Sequence, residues 1–441
     1  MRRIDGRRMA AKLAVLALGA GLLSACASPG TVTAPPPAPQ APVVTTPPPV
    51  VAPPPVAALP VDDKVRVALL LPLSGASAAI GQSMLDAAQM AMFDLGDDKL
   101  LLLPRDSKGA PDGAAAAART VIADGASIVL GPVFAAEASA VRPIAAAAGR
   151  PVVSFSSDWN VAGGGVWILG FQPHEQVRRV AALAADRGAK RFAILAPATP
   201  YGEATVQALT QAASQWGAEV TRVERFAPGA SDMTEIIKRL SDYDNRRAAL
   251  SAERARLESL GDETSLQALR RLSNADTFGD LPFDALLIAE GGSNLREVAA
   301  VLPFFDIDTG PVRLLGTGLW DEPGLGREPA LVGGWFAAPP AEGRAAFESR
   351  FQELYGYKPH RLASLAYDAT ALAAVLARNG GREGFTTQAL TSPNGFGGVE
   401  GIFRLLPSGV SERGLAVMEV TRSGNVAIDP APQSFQPTPT S

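Results

Sequence analysis

VRVALLLPLSGASAAIGQSMLDAAQMAMF, residues 65–93, sets an apolar run broken only by Arg66 ahead of the turn Pro72-Leu73-Ser74-Gly75, then continues with apolar residues at helical spacing. A short apolar run bounded by a turn reads as a buried strand, and the spacing from Ala79 to Phe93 reads as a helix. The unit repeats downstream. Leu100 to Leu103 is a second strand ending near Asp106, Ala114 to Ala123 a helix and Ser127 to Leu130 a third strand. Glu137 to Ala148 is another helix and Pro151 to Phe155 a fourth strand. Strands alternating with helices of this length predict an α/β fold with a parallel sheet covered on both faces. Such a sheet takes ligands beyond the carboxyl ends of its strands. Ser74, Gly75, residues 131–137 and the cluster Ser154, Ser156, Ser157 and Asp158 fall at those ends.

The stretch VLGPVFAAEA, residues 129–138, runs from a strand through Gly131-Pro132 into small residues with one carboxylate, Glu137. A strand that stops at Gly-Pro and hands the chain to a helix leaves backbone N–H groups at the helix start, a natural anion site. A second series starts after Phe171-Gln172-Pro173. Phe192 to Leu195 is a strand running into Thr199-Pro200-Tyr201-Gly202, Glu203 to Trp216 a helix ending at Gly217, and Val220 to Phe226 another strand. Ala285 to Ala289 and Arg313 to Leu315 continue the pattern. Two wound series joined by a short non-helical passage predict two lobes with a cleft between them.

At 441 residues the chain exceeds one ordinary core. A net charge of -4, with 19% charged residues and no long single-sign block, gives no basic footprint, so nucleic acid is not an expected partner. Arg2, Arg3, Arg7, Arg8 and Lys12 precede the apolar run Leu13 to Leu23, which is too short to span a bilayer as a mature helix and reads as a secretory signal. Leu23-Ser24-Ala25-Cys26 is similar to the bacterial lipobox, and Cys26 is the chain's single cysteine. Residues 1–26 are therefore expected to be a lipoprotein signal, with Cys26 lipidated. Ala27 stands where an inner-membrane retention signal would want Asp, which favours the periplasmic leaflet of the outer membrane. Residues 27–61 are Pro-rich, with triple prolines at 35–37, 47–49 and 53–55. They read as an extended tether, at about 3.1 Å per residue reaching on the order of 100 Å.

Four ordered segments carry a resemblance: LLLPLSGASAAIGQSMLDAAQMAM, RDSKGAPDGAAAAARTVIADGASIVLGPVF, GRPVVSFSS and SLAYDATALAAVL. Together they resemble the type I periplasmic binding proteins of the branched-chain amino acid class. The resemblance implies two Rossmann-like lobes with parallel sheets and three crossovers, near Phe171, Ala337 and Gly398. Lobe 1 would comprise 62–170 and 338–397, lobe 2 would comprise 171–337 and 398–430, and 431–441 would be a flexible tail. It also implies ligand anchors. Where the transport proteins place a hydroxyl to hold a carboxylate, this chain has Val133-Phe134-Ala135. The next anchor pair falls near Ser156 and Asp158, so an anion would meet an acid there. The aromatic of the second lobe survives as Tyr201. After Gly316 the chain reads Thr317-Gly318-Leu319-Trp320 with no acid for a ligand ammonium, and Glu290 is the available substitute. Candidate cleft residues are thus Ser74, Phe134, Ser156, Ser157, Asp158, Tyr201, Glu290 and, as a cleft aromatic, Trp320. An amino acid held without its two charge partners would cost several kcal/mol, which disfavours ordinary amino acid transport.

Residues 241–280 are extra relative to the transport pattern. Arginines and glutamates alternate there, while Leu250, Leu257 and Leu260 recur at helical spacing, so one or two amphipathic helices are expected. With the run Tyr243 to Arg246, the segment is similar to that of the penicillin-binding protein activators, outer-membrane lipoproteins that stimulate a peptidoglycan synthase. The function this implies is activation of a class A penicillin-binding protein from an outer-membrane anchor. The alternative is a solute receptor of an ATP-driven importer with a small-molecule ligand. Catalysis has little support. The two histidines, His174 and His360, lie in different motifs, and no His/Cys cluster has metal-ligand spacing. Residues 154–158 lack a nucleophile elbow, and Gly163-Gly164-Gly165 and Gly316-Thr317-Gly318 read as turns. No enzyme activity, metal or cofactor is expected.

Overall fold

The structure is a computed structural model that describes residues 63–436 apart from 97 and 231. Residues 1–26, expected to be a lipoprotein signal ending in Cys26, the Pro-rich segment 27–61 and residues 437–441 lie outside the described residues. In chain order the first lobe opens with β1 (Val65–Leu71), α1 (Ala78–Leu95), β2 (Leu100–Asp106), α2 (Pro111–Ala123), β3 (Ile128–Leu130), α3 (Ala135–Ala147), β4 (Val152–Ser154) and β5 (Val166–Ile168). The second lobe follows with α4 (Pro173–Asp186), β6 (Arg191–Pro197), α5 (Pro200–Gln215), β7 (Glu219–Phe226), α6 (Thr234–Leu240), α7 (Tyr243–Leu260) and α8 (Glu263–Leu272). It continues with β8 (Ala285–Ile288), α9 (Gly292–Val301), β9 (Arg313–Gly316) and β10 (Trp335–Ala338). The chain returns to the first lobe for α10 (Ala341–Tyr355), α11 (Ala363–Gly380), α12 (Thr387–Leu390) and the strands β11 (Phe396–Gly398), β12 (Gly401–Leu405) and β13 (Ser411–Arg413). It closes in the second lobe with β14 (Ala416–Thr421) and β15 (Gly424–Asp429).

The first-lobe sheet has the order β2-β1-β3-β4-β5 and is parallel throughout. The period of two along β1 decides its packing. Val65, Val67, Leu69 and Leu71 pack with Met84 and Ala88 of α1 and with Leu365, Ala369 and Leu372 of α11. Ala68 and Leu70 face the other way, onto Ala114, Ala118 and Val121 of α2 and Val141 and Ala145 of α3. Each fully buried leucine here contributes about 1.5–3 kcal/mol relative to exposure. The second-lobe sheet runs β15-β14-β10-β9-β8-β6-β7. It is parallel from β10 to β7, and β14 and β15 add an antiparallel edge.

Among the described residues the chain passes between the lobes at 169–172, at 339–340 and at 414–415. The third passage lies later than the expected Gly398. The reason is β11 to β13, an antiparallel sheet whose Phe403 and Leu405 enter the first-lobe core beside Leu69 and Phe155. The end of the chain is also tied down further than expected. Ala431 joins the second-lobe core, and the Arg404 guanidinium lies 4.6 Å from the centre of the Phe435 ring.

At the passages sits a buried ionic cluster. Arg413 donates from Nη2 to the Leu169 carbonyl at 3.0 Å and stacks 5.0 Å from the Phe171 ring, with Arg361 4.2 Å away from the same ring. Glu400, fully buried, accepts a forked pair of bonds from Arg361 and a 2.6 Å bond from Ser364 Oγ. Asp368 on α11 accepts from the Val399 N–H at 2.7 Å through Oδ1. Burial pushes the Asp368 carboxyl up to about 7, against the pull of Arg413.

The extra segment forms two helices. Arg246 of α7 ties it to the lobe, donating to Asp306 at 3.0 Å, to Thr277 at 2.8 Å and to the Gly279 carbonyl at 3.2 Å. Tyr243 meets Phe305 edge-on at 5.2 Å between ring centres. Leu250 and Leu257 are buried, whereas Leu260, Leu266 and Phe278 are exposed.

Candidate functional site

The strand-end turns of the first lobe are built around the chain's own carboxylates. Asp106 closes β2, and its Oδ1 accepts the N–H groups of Leu73 at 2.9 Å and Lys108 at 2.8 Å, while Oδ2 accepts Ser74 Oγ at 2.6 Å. Burial pushes the Asp106 carboxyl up, but the Ser74 hydroxyl and the N–H groups of Lys108, Leu73 and Ser74 outweigh it and hold it below the usual carboxylate range. Ser74 is thereby engaged within the turn.

At the next turn Gly131 has φ +87°, and a Cβ there would stand 2.2 Å from the Leu70 carbonyl oxygen, so only glycine lets β3 leave the sheet this closely. Phe134 follows as the cap of α3. Its N–H donates at 3.1 Å to Oε2 of the fully buried Glu137, three residues into the helix. Burial pushes the Glu137 carboxyl up, against the Ser107 hydroxyl and the N–H groups of Phe134 and Val133. The mouth that the sequence marks as an anion site thus holds an internal carboxyl group. The Phe134 side chain packs against the first-lobe core.

After β4, Ser154 Oγ donates to the Pro132 carbonyl at 2.8 Å and accepts the Ser156 N–H at 3.2 Å, and Ser156 Oγ accepts the Asp158 N–H at 3.1 Å. Ser156 is buried by this chain of bonds. Asp158 caps the short turn Trp159–Val161, its Oδ1 accepting the N–H of Asn160 at 3.0 Å and Nδ2 of Asn160 at 2.8 Å.

Opposite stands the second lobe. Tyr201, in the first turn of α5, shares a 2.8 Å hydrogen bond with Thr317 Oγ1. Burial, with the nearby Glu290 charge, pushes the Tyr201 phenol up to about 12 despite that bond. Gln176 of α4 accepts the Gly318 N–H at 2.8 Å. Glu290 turns back onto the N–H of Gly291 at 3.0 Å. Trp320, expected as a cleft aromatic, is a core residue. It is fully buried in the second-lobe cluster with Phe336 and Leu331.

Between these elements lies a cavity of about 380 Å³. Ser157, Asp158, Trp159 and Asn160 line it from the first lobe, Pro173 and His174 from the start of α4, and Pro200, Tyr201, Glu203, Ala204 and Gln207 from α5. The structure thus brings Ser157, Asp158 and Tyr201 together, and leaves Ser74, Phe134, Ser156, Glu290 and Trp320 off its walls. Trp159 and His174 line it as a ring pair 4.9 Å apart, and His174 Nε2 lies 3.4 Å from Glu175. Their separation of fifteen positions in sequence hides that pairing; only the passage of the chain from β5 into α4 creates it. A broader cavity of about 490 Å³, lined by Ser127, Pro151 and Gly165, opens at the opposite, amino-terminal ends of the first-lobe strands. Among the described residues no group of three His, Cys, Asp or Glu side chains is placed to hold a metal ion, and no helix is long and apolar enough to cross a membrane.

Over residues 64–425 the sequence matches the periplasmic binding proteins. The chain belongs to that family. Membership points to a periplasmic or extracytoplasmic location. Solved structures share the fold at low identity. A protein from Rhodospirillum rubrum assigned to branched-chain amino acid ABC transport aligns with 20% identity and a TM-score of 0.65, covering 83% of this chain and 100% of that one. An ABC transporter substrate-binding protein from Sphaerobacter thermophilus aligns with 18% identity and a TM-score of 0.62, covering 84% of this chain and 98% of that one. A solute-binding protein from Rhodopseudomonas palustris, solved with 3,4-dihydroxybenzoic acid, aligns with 15% identity and a TM-score of 0.56, covering 84% and 99%. No curated protein matches the chain.

Proposed function

We propose that the protein is a solute receptor of the extracytoplasmic space, holding a small molecule between its lobes for an ATP-driven importer. The cavity walled by Asp158 and Trp159 from one lobe and Tyr201 from the other carries this assignment, because it sits where parallel sheets of this kind take ligands. The structural relatives that act in ABC transport support it. The protein is a binder rather than an enzyme. A thermal-shift screen of small solutes on the mature domain tests this. A solute at a hundredfold excess over its Kd should add about 2.7 kcal/mol of stability, and Tyr201→Ala should abolish the shift while unfolding stays cooperative. A comprehensive screen without any shift would remove the assignment.

The exposed Leu260, Leu266 and Phe278 around α7 and α8 favour a second function, in which a Cys26-anchored outer-membrane lipoprotein docks a class A penicillin-binding protein through these helices. Removing the whole segment would also strip the lobe of Tyr243 and Arg246, so point changes are the cleaner probe. Leu260→Glu with Leu266→Glu should lower synthase recovery in pull-downs at least several-fold with stability kept within about 0.5 kcal/mol. Unchanged recovery would eliminate this docking role.

A further inference from the structure

We propose that the cavity selects a small organic cation, an ammonium compound without a free carboxylate. The inference rests on the solute-receptor assignment above and names the ligand class of the same cavity. At three strand-end turns of the first lobe, backbone N–H groups that could receive a ligand anion already bond a carboxyl group of the chain. Asp106 takes the Leu73 and Lys108 N–H groups, Glu137 takes that of Phe134, and Asp158 takes that of Asn160. An incoming carboxylate would meet like charge at Asp106 and Asp158 and an occupied set of N–H groups at Glu137, and would be buried without a partner.

The cavity walls point the same way. Their charged side chains are Asp158 and Glu203, and among the described residues no Lys or Arg lines them. Glu203 is bound by a fork of bonds from Arg225 at 2.6 and 2.9 Å, which neutralises it. Asp158 has no arginine or lysine partner in its bonds to Asn160, and both of those bonds fall on Oδ1. Its half-buried carboxylate therefore faces the space with Oδ2 left for a ligand. Trp159 and Tyr201 add aromatic surface on the two sides of the same space. A carboxylate beside aromatic rings is the combination that attracts an ammonium group, through direct charge and through the negative faces of the rings.

Calorimetric titration of the mature domain with three probe sets at equal concentration tests this: choline and putrescine as cations, leucine as a zwitterion, and benzoate as an anion. The cations should bind and the other two should bind at least about tenfold more weakly. Asp158→Asn should weaken cation binding at least about tenfold, and Trp159→Ala, whose side chain takes no part in the Asp158–Asn160 bonds, should weaken it too, both with native circular dichroism. Tighter binding of leucine or benzoate would overturn the cation assignment and leave the solute receptor standing. Cation binding insensitive to both substitutions would place the ligand elsewhere and overturn it as well. Failure of every probe set, together with a blank thermal-shift screen, would bring down both.

Discussion

Trp320→Ala is expected to cost about 3–5 kcal/mol of unfolding free energy, the range for emptying a large aromatic from a close-packed core. The indole is fully buried, and its ring fills the space that side chains at Gly316 and Gly334 would need. A Cβ built at Gly316 would stand 2.2 Å from the ring, and one at Gly334 would stand 2.7 Å from it. Backbone on two sides cannot collapse into the void, so little of the loss is recovered. Trp320 Nε1 has no hydrogen-bond partner, so Trp320→Phe loses volume and no hydrogen bond, and should cost clearly less than the alanine variant. Urea unfolding of the three proteins gives the comparison. A cost under about 1 kcal/mol for Trp320→Ala would return this residue to the cleft wall.

The second large effect is expected at the passages between the lobes. Arg413→Ala should destabilise by about 3–5 kcal/mol, because it removes the cation that faces Asp368 and Glu400 in a buried setting. The pH dependence identifies the cause. Burial raises the Asp368 carboxyl from its ordinary 3.8 to about 7, so between those values the folded protein holds a proton that the unfolded chain has released. Its contribution to stability is present below pH 4, falls as pH rises towards 7 and is lost above it. The slope is at most about 1.4 kcal/mol per pH unit for one group. Asp368→Asn should remove that component, seen as the difference between wild type and variant in urea unfolding from pH 4.5 to 8. In Arg413→Ala the fall should extend above pH 7, since the opposing charge is gone. Parallel stability curves for wild type and Asp368→Asn would contradict the buried, proton-holding state of this carboxyl.

Much of the fold is legible along β1, where the apolar run reads as a buried strand, and the structure covers both its faces, Val65, Val67, Leu69 and Leu71 on one helical layer and Ala68 and Leu70 on the other. The strand-turn-helix repeat likewise locates the turns at Ser74, Gly131 and Ser156, because glycine, proline and serine are needed where the chain leaves a sheet. Direction of a side chain is harder. Trp320 sits just beyond a strand end and reads as a cleft aromatic, yet a one-turn 3-10 helix, Gly318–Trp320, carries its ring inward. Ser156 has the right chemistry for a ligand, but its hydroxyl is taken by the Asp158 N–H. The family resemblance implies a passage between lobes near Gly398, whereas Phe403 and Leu405 carry the chain back into the first core. In each case the outcome depends on what packs from distant sequence.

The cavity inherits this division. Tyr201 and Asp158 stand at recognisable strand ends, while the pairing of Trp159 with His174 arises only when β5 leads into α4. Glu137 is visible in sequence as a lone acid beside a Gly-Pro turn, and its burial reverses the reading of that turn from anion site to filled site.

The most direct measurement is the intrinsic fluorescence of Trp159 during titration with solutes, taken as the difference between the wild-type signal and that of Trp159→Phe to remove the other tryptophans. A solute held between the lobes must alter the surroundings of a ring that lines the cavity. That difference signal should change saturably, over the concentration range in which the calorimetric titration saturates. A solute that binds by calorimetry and leaves the difference signal flat would contradict it.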